Sequence, residues 1–256
     1  MMILSQDFIF KTMEVLFYIF LACLAFPIIY IVVSLLIGFV VGIIYKIFYT
    51  QIGPTCGYYG LVYAIGKVKD INLKQEVRRI IKCSIDEDKS YVGEIFEINK
   101  LSEIAEKYFP DIDTSIKTFN GIEELDELLK NHYLVYPVLR KSLFGKLGDT
   151  PHYYFIEEAK KGKYIYKTEI FKIRLTKKKS EMVEENVNLK QLDYFCWNCY
   201  YKKKRSLFVS IAYYIADWNL YSFLNKQYKD KKKVLLNQYS KIDMAGKALA
   251  IRKKKL

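Results

Sequence analysis

The chain has 256 residues, 52% of them hydrophobic and 16% aromatic, and carries a formal charge of +13. That composition excludes disorder as the whole answer, and the length leaves room for one domain of about 150 residues plus an appendage. The charge is lopsided: from Tyr200 to Leu256 there are fifteen Lys or Arg against Asp217, Asp230 and Asp243, so nearly all the excess sits in the last quarter.

Val15 to Tyr45 is apolar or small without interruption, and the first charge after it is Lys46. As a helix this run would reach about 46 Å, where about 20 residues cross a bilayer and two spans would need about 40. One crossing is therefore expected, kinked at Pro27. A cleaved secretory signal would have a basic start and an apolar core of about 7–15 residues. Here the leader (Asp7, Lys11, Glu14) is nearly neutral and the run is longer. Lys46, Lys67, Lys69 and Lys74 follow the run, so the positive-inside rule sets the rest of the chain in the cytoplasm. With Cys23 in the span, Cys56, Cys83, Cys196 and Cys199 are too few for a disulfide framework and suit a reducing compartment. The expected division is a leader over 1–14, an anchor over 15–45, a folded domain over 46–176 and a basic, aromatic region over 177–256.

Within the domain, Gly57 to Val68 reads as a buried helix and Leu73 to Cys83 as an amphipathic one. Asn99 to Tyr108 and Gly121 to Asn131 follow, the latter with Ile122, Leu125, Leu128 and Leu129 on one face. The period then changes. Tyr133 to Leu139, His152 to Glu157 and Lys163 to Arg174 are aromatic and β-branched, which predicts strands. Gly145 to Asp149 and Lys160 to Gly162 read as the turns between them. Helices first and strands after give an α+β class. Beyond Lys177 to Glu181, Leu207 to Leu224 is helix-like and Lys241 to Arg252 reads as a last strand.

The block with most chemistry in it is Gln51-Ile-Gly-Pro-Thr-Cys56-Gly-Tyr-Tyr-Gly60, running into Leu61 to Ile65. It sets a thiol at a helix N-terminus, where the macrodipole favours thiolate, with a glutamine amide five residues ahead. His152 lies far downstream at the start of a strand. This order resembles the papain-like cysteine peptidases. The Gly-Pro-Thr-Cys-Gly block is most similar to the bacteriocin-leader (double-glycine) peptidases, with the actin maturation proteases similar around the same residues. The resemblance covers about Gln51 to Ile173, including Val135-Tyr-Pro-Val-Leu139. It implies a papain-like domain behind one transmembrane helix, with Cys56 as nucleophile, His152 as base and acid, and Gln51 as oxyanion donor. Such families carry an Asp or Asn on the strand after the histidine, often followed by proline. Tyr164 to Ile170 has none of these; Glu169 is the nearest substitute and Thr168 the next.

Duller readings stand beside these. Cys56 as a small buried hydrophobe, His152 as a satisfied strand histidine and Gln51 as a local cap are the alternatives. Cys196-Trp-Asn-Cys199 invites redox or zinc chemistry, but no second ligand pair follows and packed thiols are preferred. No cofactor and no metal are expected. The function expected is a membrane-anchored cysteine peptidase acting on a peptide or protein precursor, with an export or transporter partner by analogy. An acyltransferase using the same Cys-His chemistry, or an inactive basic scaffold, is the rival. The basic C-terminal region suits anionic lipid, with nucleic acid ranked below because no recognition motif accompanies it.

Overall fold

The structure is a computed structural model describing residues 6–48, 51–52, 54–140, 148, 150–168, 173–197, 207–235 and 239–253. Helix α1 (Gln6–Phe48) is 43 residues long and contains Pro27. It starts well before the expected anchor and outlasts it by one turn. Its segment Glu14–Ile47 is long and apolar enough to cross a membrane. Side chains such as Phe26 and Leu36 stand exposed along it.

Helix α2 (Cys56–Ile65) is buried at every residue, as a continuous apolar run requires. Helix α3 (Leu73–Asp86) begins where the Asn72 side chain accepts from the Gln75 N–H at 3.2 Å. It buries Val77, Ile80, Ile81 and Ile85, the spacing of one helix face. Helix α4 (Ile98–Tyr108), strand β1 (Thr114–Thr118) and helix α5 (Ile122–Asn131) follow. Then come β2 (His132–Val138), β3 (His152–Lys160), β4 (Lys163–Lys167), β5 (Leu175–Lys178) and helix α6 (Lys179–Val187). A short 3-10 turn leads to β6 (Tyr194–Cys196), α7 (Leu207–Ala216), α8 (Trp218–Leu235), β7 (Tyr239–Lys241) and β8 (Lys247–Arg252).

The expected α+β class is what is seen. Six strands pair in the order β1-β8-β2-β3-β4-β5, antiparallel throughout. Strand alternation divides the core between two faces. Val135, Tyr153, Phe155, Leu249 and Ile251 pack on the side of α2, and Leu134, Tyr136, Tyr154, Ile156, Ala248 and Ala250 on the side of α5 and α6. Helix α2 comes close to the sheet because Gly60 meets Val135: a Cβ there would lie 3.0 Å from Val135 Cγ1. The β2–β3 register sets His152 opposite Val138, at the end of β3 nearest the start of the hairpin arm.

Several expected elements differ. The polar β1 was unforeseen: Thr-Ser-Ile-Lys-Thr has little apolar signal and serves as a sheet edge. Leu207 to Leu224 is two helices, because Asp217 leaves α7 and caps α8, accepting from the Leu220 N–H at 3.2 Å. Lys241 to Arg252 is divided by a turn at Ala245-Gly246, so β7 pairs with β6 and β8 joins the main sheet. Of the strand expected over Lys163 to Arg174, β4 supplies the first part, and 169–172 lie outside the described residues. Sheet pairing also crosses the expected boundary at 176: β5 pairs with β4, and β8 sits between β1 and β2. The C-terminal region thus supplies a central strand.

Candidate active site

The loop ahead of α2 is tied by Thr55, whose hydroxyl donates to the Ile52 carbonyl at 2.8 Å. Thr55 therefore does not cap the helix, whose first N–H groups have no intrahelical acceptors. The first turn also lacks any acid, so its own side chains add no negative charge to the positive end of the helix at Cys56. Cys56 is 8% exposed and Gln51, in the tied loop, 9%.

One cavity of about 270 Å³ is lined by Gln51, Cys56 and His152 together. Sequence positions 96 residues apart meet because α2 lies on β3. Pro54, Thr150 and Pro151, with Glu94, Ile95 and Phe96, line the cavity as well. The remaining wall is aromatic and apolar: Phe195, Trp197, Val209 and Tyr213.

Glu169, the expected third member, lies outside the described residues. Its neighbour Thr168 is buried and sits 2.9 Å through Oγ1 from His152 Nε2. Arg140, at the end of β2, donates through Nη2 to the same hydroxyl oxygen. Its Nε donates to the Tyr154 hydroxyl at 2.7 Å, and Lys177 reaches that hydroxyl at 3.3 Å while pairing with Glu185 at 2.6 Å. A chain of polar contacts thus runs from the histidine ring to a partly buried ion pair. Burial pushes the Tyr154 hydroxyl well up, so it enters this chain neutral. His132 lies elsewhere: its Nδ1 meets the Leu128 carbonyl at 3.1 Å, at the end of α5.

Glu94 was not anticipated at the site. Its carboxylate accepts from the Tyr91 and Val92 N–H groups at 2.9 and 2.8 Å, and from the Ser90 hydroxyl at 3.3 Å. Burial holds its carboxyl above the usual range despite those bonds. The sequence signal is slight: a serine four residues ahead in a turn. The aromatic wall was also missed. Phe96 and Phe195 stack at 4.3 Å, and Trp197 stands edge-on to Phe195 at 5.2 Å, its indole N–H donating to Ser240 at 2.8 Å. Trp197 belongs to the segment weighed for redox or zinc chemistry; Cys196 is half-buried in β6, and Cys199 lies outside the described residues. Among the described residues, no group of three His, Cys, Asp or Glu is placed to hold a metal ion.

Residues 47–140 match the family model of the actin maturation protease-like C-terminal domain. That family is related to cysteine peptidases. The match spans Gln51, Cys56, Glu94 and β2, and ends ahead of His152 and Thr168. It names the second of the two groups that the Cys56 block resembles; nothing in the comparisons supports the bacteriocin-leader group. No curated protein and no solved structure matches the chain.

Proposed function

We propose that this protein is a cysteine peptidase with a papain-like Cys-His site, anchored by α1 with its catalytic domain on the cytoplasmic side. The observation that carries the reading is the convergence of Cys56, His152 and Gln51 on one cavity. The family match over the segment that bears Cys56 and Gln51 supports peptidase-like chemistry.

In this reading, His152 takes the Cys56 thiol proton through Nδ1, since Nε2 faces Thr168. The productive tautomer carries a proton on Nε2, donated into a lone pair of Thr168 Oγ1 while Arg140 occupies another. The thiolate attacks the substrate carbonyl carbon, and the oxyanion is held by the Gln51 amide and the Cys56 N–H. Collapse of the adduct breaks the C–N bond, and the leaving amine takes the proton from His152. Water, deprotonated by the same imidazole, then releases the acyl group as a carboxylate and restores the thiol. Thr168 stands where an Asp or Asn is usual. It orients the ring without a charge to stabilise imidazolium, so the helix terminus carries more of the thiolate stabilisation.

The test is the alkylation rate of Cys56 against pH in wild type and in His152→Ala, read by mass spectrometry. Fast reaction well below an ordinary thiol pKa of about 8.5, slowed by the mutation, supports the pair. A Cys56 that titrates like a free thiol in both proteins refutes it.

A further inference from the structure

Helix α7 has two working faces. Successive residues turn by about 100°, so Val209 and Ile211 project to opposite sides. On one side, Ile211 and Ile215 lie against α1, where a Cβ at Gly38 would come within 2.8 Å of Ile211 Cβ and one at Gly42 within 2.6 Å of Ile215 Cβ. Two glycines four residues apart let the backbones approach, a spacing that packs helices tightly in membranes. On the other side, Val209 and Tyr213 line the cavity that holds Cys56. The Tyr213 ring also lies 6.0 Å from that of Tyr45 on α1.

The cavity these residues close is apolar away from the Cys-His end. Phe96, Phe195 and Trp197 face Val209 and Tyr213. Among the described lining residues the carboxylate, on Glu94, is bonded to the turn that bears it. A bulky apolar substrate side chain would displace water from five apolar surfaces there.

We propose that α7 is the specificity wall of the cleft: the site takes a polypeptide with a bulky apolar side chain next to the scissile bond, and that selectivity depends on the seating of α7 on Gly38 and Gly42. The proposal rests on the peptidase reading for the word scissile, but the pocket itself is independent of turnover. Seating affects the wall and leaves the Cys56–His152 pair, carried by α2 and β3, in place.

The experiment uses the full chain in nanodiscs and a peptide library varied around the cleavage point, with product ends read by mass spectrometry. Wild type should favour Leu, Phe or Met over Ala next to the cut by about tenfold or more. Val209→Trp, which fills the pocket, should bring that preference below about threefold and admit small side chains. Gly42→Leu should erode the preference similarly while the Cys56 alkylation rate stays within about twofold. Equal loss for large and small residues, or an unchanged preference in Val209→Trp, would overturn the proposal. If wild type cleaves nothing, the peptidase reading fails and binding decides the pocket. Trp197 fluorescence in a Trp218→Phe background is then titrated with Phe-containing and Ala-containing peptides. Preference for Phe, lost in Gly42→Leu, sustains the apolar wall, and equal binding rejects it.

Discussion

Strand β3, which carries His152, is paired on both edges and packed on both faces, whereas α7, which carries Val209 and Tyr213, is seated on α1 and pinned at one end. The pin is Asp217, held by Arg78 through two bonds of 2.7 and 2.6 Å. The groups assigned to chemistry stand on the part of the molecule with most reasons to stay still. The residues assigned to selection stand on a part that small changes will move. Floor variants should therefore alter rate or folding, and roof variants should alter preference.

Removing β8 should break the comparison outright, because the floor would lose a central strand. A chain ending after Lys241 is expected to lack cooperative unfolding by circular dichroism, since Leu249 and Ile251 leave the core together. Truncating either to Ala already costs about 2–5 kcal/mol. Retained cooperative unfolding would mean that the fold stands without β8. Next in size, Cys56→Ala should cut peptide turnover by at least about 10⁴-fold while thermal stability stays near wild type. Gln51→Ala is expected to lower kcat by about 10²-fold with little change in KM, the signature of a transition-state donor. A KM effect alone would reduce Gln51 to a binding or capping residue.

Two smaller effects sharpen the boundary between floor and roof. Thr168→Val should lower kcat by about tenfold and shift the alkylation profile of Cys56, with Thr168→Ser restoring both. No shift in the profile would mean that Thr168 only packs. Glu94 belongs to the wall, and its effect is on stability. Its folded pKa lies above the unfolded value, so its contribution is full below the usual carboxylate range and is lost as pH rises through the raised value. Glu94→Gln cannot ionise and should flatten that decline in urea melts between mildly acidic and neutral pH. An unchanged slope would show that the turn N–H groups fully compensate the charge.

Much of the floor was legible from residue spacing. The apolar run after Cys56, the faces of α3, α4 and α5, and the aromatic strands β2 and β3 all announce themselves by periodicity. The meeting of Gln51, Cys56 and His152 at one cavity was legible as well, because few residue types are candidates for nucleophile, base and oxyanion donor. Thr168 was visible only as a second choice. Its role depends on Arg140, and a cation that fixes a hydroxyl across two strands leaves no local pattern. The roof was the least legible. Val209 and Ile211 look alike in a sequence, and their different duties come from which element passes on each side. Likewise β8 reads as a strand but says nothing of its place, since pairing across more than a hundred residues is decided by the whole sheet.

The seat of β8 has a consequence in time. The helix that opens at Cys56 leaves the ribosome early, yet the sheet that backs it closes only when Lys247–Arg252 arrives. Contacts of such long sequence separation form late, since chain closure must precede their reward. A nascent chain would thus carry Cys56 through most of its synthesis on an unfinished sheet. The cavity that gathers Cys56 and His152 would gain its full backing only once β8 is paired.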